Sequence, residues 1–210
     1  MLGGRNSTTT EADRPNTRSP EVRPQLARRA FVRQAYPLLL LAATLLSGCG
    51  ASLHDAVARG ERETVQALIS ERPAAVHDRN ELGKTPLHYA VTFKQEAMMA
   101  LLVDAGAELD AQDNTGMTPL HVAAMLGRKD EARWLMEAGA AMDVSDHFGD
   151  RPVHTAALCG QGRVLKCLVD AGARLDERNH AGKTPLDLAR SKAHDRVAAY
   201  IEKRLDNQLR

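Results

Sequence analysis

Aromatic residues are scarce in this chain of 210: three Phe, three Tyr and one Trp, 3% of the total. A β-sandwich or barrel leans on aromatic and β-branched pairs across its strands, so this composition argues against one. Cysteine is rarer still. Cys49, Cys159 and Cys167 offer neither a CxxC nor a Cys/His spacing fit for zinc, and three are too few for a disulfide scaffold. No Gly-rich phosphate loop and no HExxH is present, and Ser52, Ser70, Ser145 and Ser191 sit in no strand–turn–helix elbow. Enzymatic chemistry has no recognisable carrier, and a non-catalytic role is expected. The apolar run Pro37–Leu46 is about ten residues, against the roughly 20 of a spanning helix.

The net charge of +1 conceals an uneven distribution. Residues 1–49 hold seven Arg and three acids, which leaves 21 basic and 24 acidic residues, a balance of −3, for the rest. That remainder has no basic stripe interleaved with aromatics, so nucleic acid is not an expected partner. Up to about Pro24 the chain is polar and Pro-rich, with little to bury, and disorder is expected there. Ala27-Arg28-Arg29-Ala30-Phe31-Val32-Arg33 then leads into the apolar run, which ends in Leu46-Ser47-Gly48-Cys49. A positive flank, a short apolar stretch and small residues are the layout of a secretory signal.

The ending resembles the bacterial lipobox. That resemblance implies cleavage after residue 48 and lipidation of Cys49, with acyl chains that hold the protein at an envelope membrane at about 0.8 kcal/mol per buried methylene. Gly50, where an inner-membrane retention signal would place Asp, favours the outer membrane. The Arg28-Arg29 pair resembles a twin-arginine export motif but departs from it around the pair, and general secretion stays open beside it. Residues 1–48 are therefore read as a removed leader and 49–210 as the mature domain.

The mature part repeats itself. Gly83, Gly116, Gly149 and Gly182 are 33 apart, as are Pro86, Pro119, Pro152 and Pro185. Thr85-Pro86-Leu87-His88 returns as Thr118-Pro119-Leu120-His121, Arg151-Pro152-Val153-His154 and Thr184-Pro185-Leu186-Asp187, and Ala105-Gly106-Ala107 returns twice. Within one unit, Thr85 predicts a helix N-cap and Pro86 a first helical position, where its missing N–H costs nothing. Leu87, Ala90 and Val91 are expected to face inward, Lys94-Gln95 to break to a second helix with Met98, Leu101 and Leu102, and Gly106 to end it in the left-handed conformation. One such unit cannot bury its own apolar face, so the units must stack.

The pattern resembles the ankyrin family, whose marker is T-P-L-H-x-A at a period of 33. The resemblance implies an all-α repeat fold: a solenoid of stacked helix-turn-helix units with β-hairpin fingers, about five repeats including caps. The expected units are 50–80, 81–113, 114–146, 147–179 and 180–210. The first lacks the Thr-Pro start and reads as a cap, and the last ends in a helix carrying Val197, Tyr200, Ile201 and Leu205 with a polar outer face.

The regular histidines His54, His88, His121 and His154 could suggest a metal or haem, but the resemblance implies that they bond backbone groups of the next turn, with Asp187 in that place in the last unit. His147 and His180 stand one repeat apart near finger tips and lack a third ligand, so no metal and no cofactor is expected. Asp110, Asp143 and Asp176, and Asp113, Asp146 and Asn179, recur with the period and read as turn formers. Cys167 aligns with Leu101 and Trp134 and is expected to be a buried small hydrophobe. Cys159 aligns with Phe93 and Leu126 at a helix end, and a Cys159–Cys167 disulfide stays open.

In ankyrins, finger residues and first-helix ends form a concave binding face. Carried over by register, the residues expected to contact a partner protein are Leu82, Phe93, Gln112, Asn114, Met117, Met125, Leu126, His147, Phe148, Asp150 and Leu158. The apolar ones would form an exposed strip, which on a monomer marks an interaction site. The expected function is a monomeric, periplasm-facing interaction module, lipid-anchored through Cys49, in an adaptor or immunity-type role. The alternative, also carried by resemblance, is an accessory protein in envelope oxidative-stress defence that supports a peroxide-handling enzyme.

Overall fold

The computed structural model describes residues 52–208, with side chains to 207. The leader, the apolar run, Cys49 and Gly50 lie outside the described residues. Among the described residues ten α-helices follow one another in pairs: α1 (Leu53–Arg59) and α2 (Arg62–Glu71), α3 (Pro86–Thr92) and α4 (Glu96–Asp104), α5 (Pro119–Leu126) and α6 (Lys129–Glu137), α7 (Pro152–Leu158) and α8 (Gly162–Asp170), α9 (Pro185–Ser191) and α10 (Asp195–Gln208). A short 3-10 helix, Pro73–His77, follows α2. The first helices α1, α3, α5, α7 and α9 pack side by side in one layer and the second helices in another.

Each first helix starts as its sequence dictates. Pro86, Pro119, Pro152 and Pro185 occupy the first turn, and the hydroxyls of Thr118 and Thr184 accept from the amides of His121 and Asp187. Ser52 does the same in α1, accepting from Asp55 at 3.1 Å, so the first unit starts without a Thr-Pro pair. Arg151 has no acceptor to offer, and its unit keeps only the reverse bond, from the Arg151 amide to His154 Nδ1.

The core lies between the two layers. Leu87, Ala90 and Val91 are fully buried, and Leu120, Ala123 and Ala124, then Val153, Ala156 and Ala157, repeat them. Alanine at the recurring positions lets neighbouring helix axes approach closely, and the second helices seal the layer with Met99, Leu102, Leu135, Leu165 and Leu168. The last pair closes with the 14-residue α10, which buries Val197 and Ile201 and turns Lys203, Asp206 and Asn207 outward. In the first pair the repeat is one residue longer, and α2 has 10 residues where α4, α6 and α8 have nine.

Cys167 is half-buried, as are Leu101 and Trp134 at the same register, and not the core residue expected from sequence. Leu101 and Trp134 pack only partly buried against the core, while Leu168 beside Cys167 is fully buried. Both Cys159 and Cys167 are free thiols. The turn from first to second helix requires a left-handed residue. Glycine supplies it at Gly60, Gly127 and Gly160, but Lys94 (φ 57°) and Ala193 (φ 56°) adopt it against their own preference.

Candidate partner-binding face

The fingers between helix pairs are built from backbone amides gathered onto one side chain. Oδ1 of Asp113 accepts from the amides of Thr115 (2.8 Å) and Met117 (3.1 Å). Asn80, Asp146 and Asn179 repeat this at Leu82 and Lys84, Phe148 and Asp150, and Ala181 and Lys183. The periodic Asx residues are thus turn formers. Burial would raise the Asp113 carboxyl, but the bonds from Thr115 and Met117 outweigh it and hold its pKa below the usual carboxylate value. Gly83, Gly116 and Gly149 complete the turns at positive φ. A Cβ on Gly149 would also lie 2.6 Å from the His180 ring and 2.7 Å from its backbone nitrogen, so only glycine fits there.

Adjacent fingers are joined by single backbone bonds. The amides of Asn114, His147 and His180 donate to the carbonyls of Leu82, Thr115 and Phe148 at 3.0–3.1 Å. One bond per neighbour makes no ladder, and among the described residues the fingers are tight turns with no strand.

The buried histidines tie each helix to the next finger. Nδ1 of His88 accepts from the Thr85 amide at 3.1 Å, which leaves the proton on Nε2, and Nε2 donates to the Met117 carbonyl at 3.0 Å. His121 and His154 make the same pair of bonds, reaching the carbonyls of Asp150 and Glu177, and His54 reaches Lys84. In the last unit the Asp187 carboxylate accepts from the amide and hydroxyl of Thr184. Burial pushes the pKa values of His88, His121 and His154 down. These rings are neutral structural ties.

On this frame the apolar residues expected at the surface divide into two groups. Leu82, Phe93, Leu126 and Phe148 are exposed, at 61, 49, 38 and 68%. Met117, Met125 and Leu158 are half-buried and not the open residues expected from sequence. The side chain of Met117 packs on the core, while Gln161 and His194 of the following unit reach back to the carbonyls of Met125 and Leu158 and cover those helix ends. Phe93 rests against Tyr89, ring centroids 5.9 Å apart.

The polar residues divide as well. Asp150 is only 7% exposed. Its amide donates to Asp146 and its carboxylate accepts from the Asn179 side chain at 2.7 Å, so the expectation of an open carboxylate is corrected. Gln112 and Asn114 are exposed, yet their amides are engaged: Gln112 with the carbonyls of Gly116 and Ser145, Asn114 with that of Glu81. Arg79 bonds the Gly83 and Gln112 carbonyls in the same manner. Sequence reading missed this row of bridges; its signal was a long donor side chain at Arg79, Gln112 and Arg178, 33 or twice 33 apart. His147 and His180 are exposed, their rings lying over Gly116 and Gly149 of the preceding finger. Cys159, at the end of α7, has its thiol pKa raised by burial.

A family model for ankyrin repeats, three copies, matches residues 53–146. Residues 53–146 are ankyrin repeats. The helix pairs, histidine ties and fingers continue past that stretch through residues 147–208, so the ankyrin geometry covers the whole described part. No curated protein matches the sequence. Ankyrin repeats mark a protein–protein interaction module, and the family is typically non-catalytic. Among the described residues no helix is long and apolar enough to cross a membrane.

Proposed function

We propose that this ankyrin protein is a non-catalytic binding module, tethered by a lipid on Cys49 to a bacterial envelope membrane, outer rather than inner, and holding a periplasmic partner protein in an adaptor or immunity-type role. The observation that carries the binding reading is the set of exposed apolar side chains Leu82, Phe93, Leu126 and Phe148 on the fingers and first-helix ends. Leaving large apolar groups in water on rigid elements is unfavourable for a monomer, and such a patch marks an interaction site. The leader supports the anchoring reading through its basic flank, short apolar run and Leu46-Ser47-Gly48-Cys49 ending.

The test is an affinity capture from crosslinked native cells with three forms of the protein. The Phe148→Asp/Leu126→Asp double variant, at two of these exposed positions, is expected to lose a specific protein that the wild type captures, with its helical circular dichroism unchanged. Full capture by the folded double variant would overturn the site. Cys49→Ser is expected to move the protein out of the membrane fraction, and retention there would overturn the anchor.

A further inference from the structure

Four of the first helices begin on the same backbone requirement and meet it with two different acceptors. The amides of Thr85, Thr118 and Arg151 donate to Nδ1 of His88, His121 and His154 at 3.1, 3.2 and 3.3 Å. The Thr184 amide donates instead to the Asp187 carboxylate at 3.0 Å. The three rings also reach the next unit through Nε2, His88 to the carbonyl of Met117, His121 to that of Asp150 and His154 to that of Glu177.

The two acceptors fail at different pH. A proton on Nδ1 removes the lone pair that the amide uses. The Thr85 and Thr118 hydroxyls, 2.9 Å from Nδ1, can take that proton in a hydrogen bond, but the amide beside them is left without an acceptor. Arg151 offers no hydroxyl at all. Asp187, its pKa held below the ordinary carboxylate value by the amide and hydroxyl of Thr184, stays an acceptor where a free histidine is already charged. Burial is the largest effect on each buried ring and keeps it neutral in place. The charges facing the rings are mixed: Asp113 favours a charged His88 and Lys84 and Arg79 oppose it, Asp146, Asp150 and Asp113 favour a charged His121, and Asp150 and Asp146 favour a charged His154 against Arg151.

Building on the reading of the finger face as the binding surface, we infer that this face is acid-responsive: protonation of His88, His121 and His154 frees the starts of α3, α5 and α7 and the finger contacts made by those rings, while α9, begun on Asp187, holds. His121 ties down the 146–150 finger, which carries the exposed Phe148. Phe93 and Leu126, also exposed, stand at the ends of the helices that His88 and His121 begin. Acid therefore loosens the grip on a partner protein at these units and leaves the closing helix pair in place.

The experiment is hydrogen exchange on the full chain, read by NMR as protection factors at the amides of Thr85, Thr118, Arg151 and Thr184. A ring that has left its site titrates near the ordinary histidine value of about 6.5, so opening is about tenfold more frequent at about pH 5.5 than at about pH 7.5. Protection at Thr85, Thr118 and Arg151 is expected to fall by about that factor, while Thr184 changes by less than about twofold. An equal fall at all four amides would mean that the array opens as one block, and no fall at the first three would mean that the rings do not respond; either result overturns the inference. The His88→Asp variant copies the acceptor of the last unit. In it Thr85 is expected to keep its protection on acidification while Thr118 and Arg151 still lose theirs, and a fall at Thr85 in a variant with unchanged circular dichroism would count against the histidine as the cause. If that variant does not fold, the four amides of the unaltered chain still decide. No partner enters the measurement, so failure of the acid response and failure of the binding reading are told apart.

Discussion

A buried histidine here does what no other side chain of its size could. Nδ1 accepts from the amide that starts its own helix, and Nε2 donates to a carbonyl of the next finger, 29 residues away for His88 and His121. Adding a proton to Nδ1 would set it against an N–H donor, and burial opposes the charge as well. The folded pKa values of His88, His121 and His154 are accordingly below the ordinary 6.5. The unfolded chain therefore binds more protons in the interval below about pH 6.5, and stability falls as the pH falls through it. The urea midpoint is expected to hold above that pH and to drop steadily towards pH 5. A midpoint that is flat or rises on acidification would contradict the neutral assignment of the rings.

Among the elements, the finger depends most on a single side chain. Asp113 Oδ1 gathers the Thr115 amide, the Thr115 hydroxyl at 2.6 Å and the Met117 amide. Asp113→Ala leaves those donors without their acceptor and is expected to cost about 2 kcal/mol, with the loss of order centred on residues 113–117. Thermal denaturation gives the magnitude, and hydrogen exchange at Thr115 and Met117 gives the location; an unchanged melting temperature would refute the assignment. The helices are supported differently, by stacked Ala and Leu positions distributed over neighbouring units, so no one hydrogen bond decides them.

Across the whole repeat array each pair of helices contacts mainly its neighbours, and stability is close to a sum of units and the interfaces between them. The ends then matter more than the middle. α10 buries Val197 and Ile201 against the preceding units, and Arg204 reaches Asp170 and Arg190 reaches Glu202 across its flank. Those exposed ion pairs contribute little, and the apolar contacts do most of the closing. Ending the chain after His194 is expected to expose the inner face of α9 and make protection against hydrogen exchange fall in residues 180–194 first, with the units nearer α5 least affected. Uniform loss across the array would show that the units fold as one block.

Much of this protein was legible without coordinates because the repeat puts the same physical problem to the sequence several times. Pro at the first helical position, Thr or Ser at the cap, Gly where φ must be positive and Ala where helices touch are local requirements, and a period of 33 exposes each of them. The role of the buried histidines, carried from the family resemblance, came from the same regularity. What the tertiary structure alone decided were matters of reach between units. Residues expected on one face differ in whether a neighbour takes them up: Asp150 is consumed by Asn179, Gln112 and Asn114 by carbonyls of adjoining fingers, while Phe148 and Leu82 stay in water. Periodicity specifies which residue occupies a position, but exposure depends on the side chains of the next unit, which lie about 30 residues away in the chain and within hydrogen-bond distance in space.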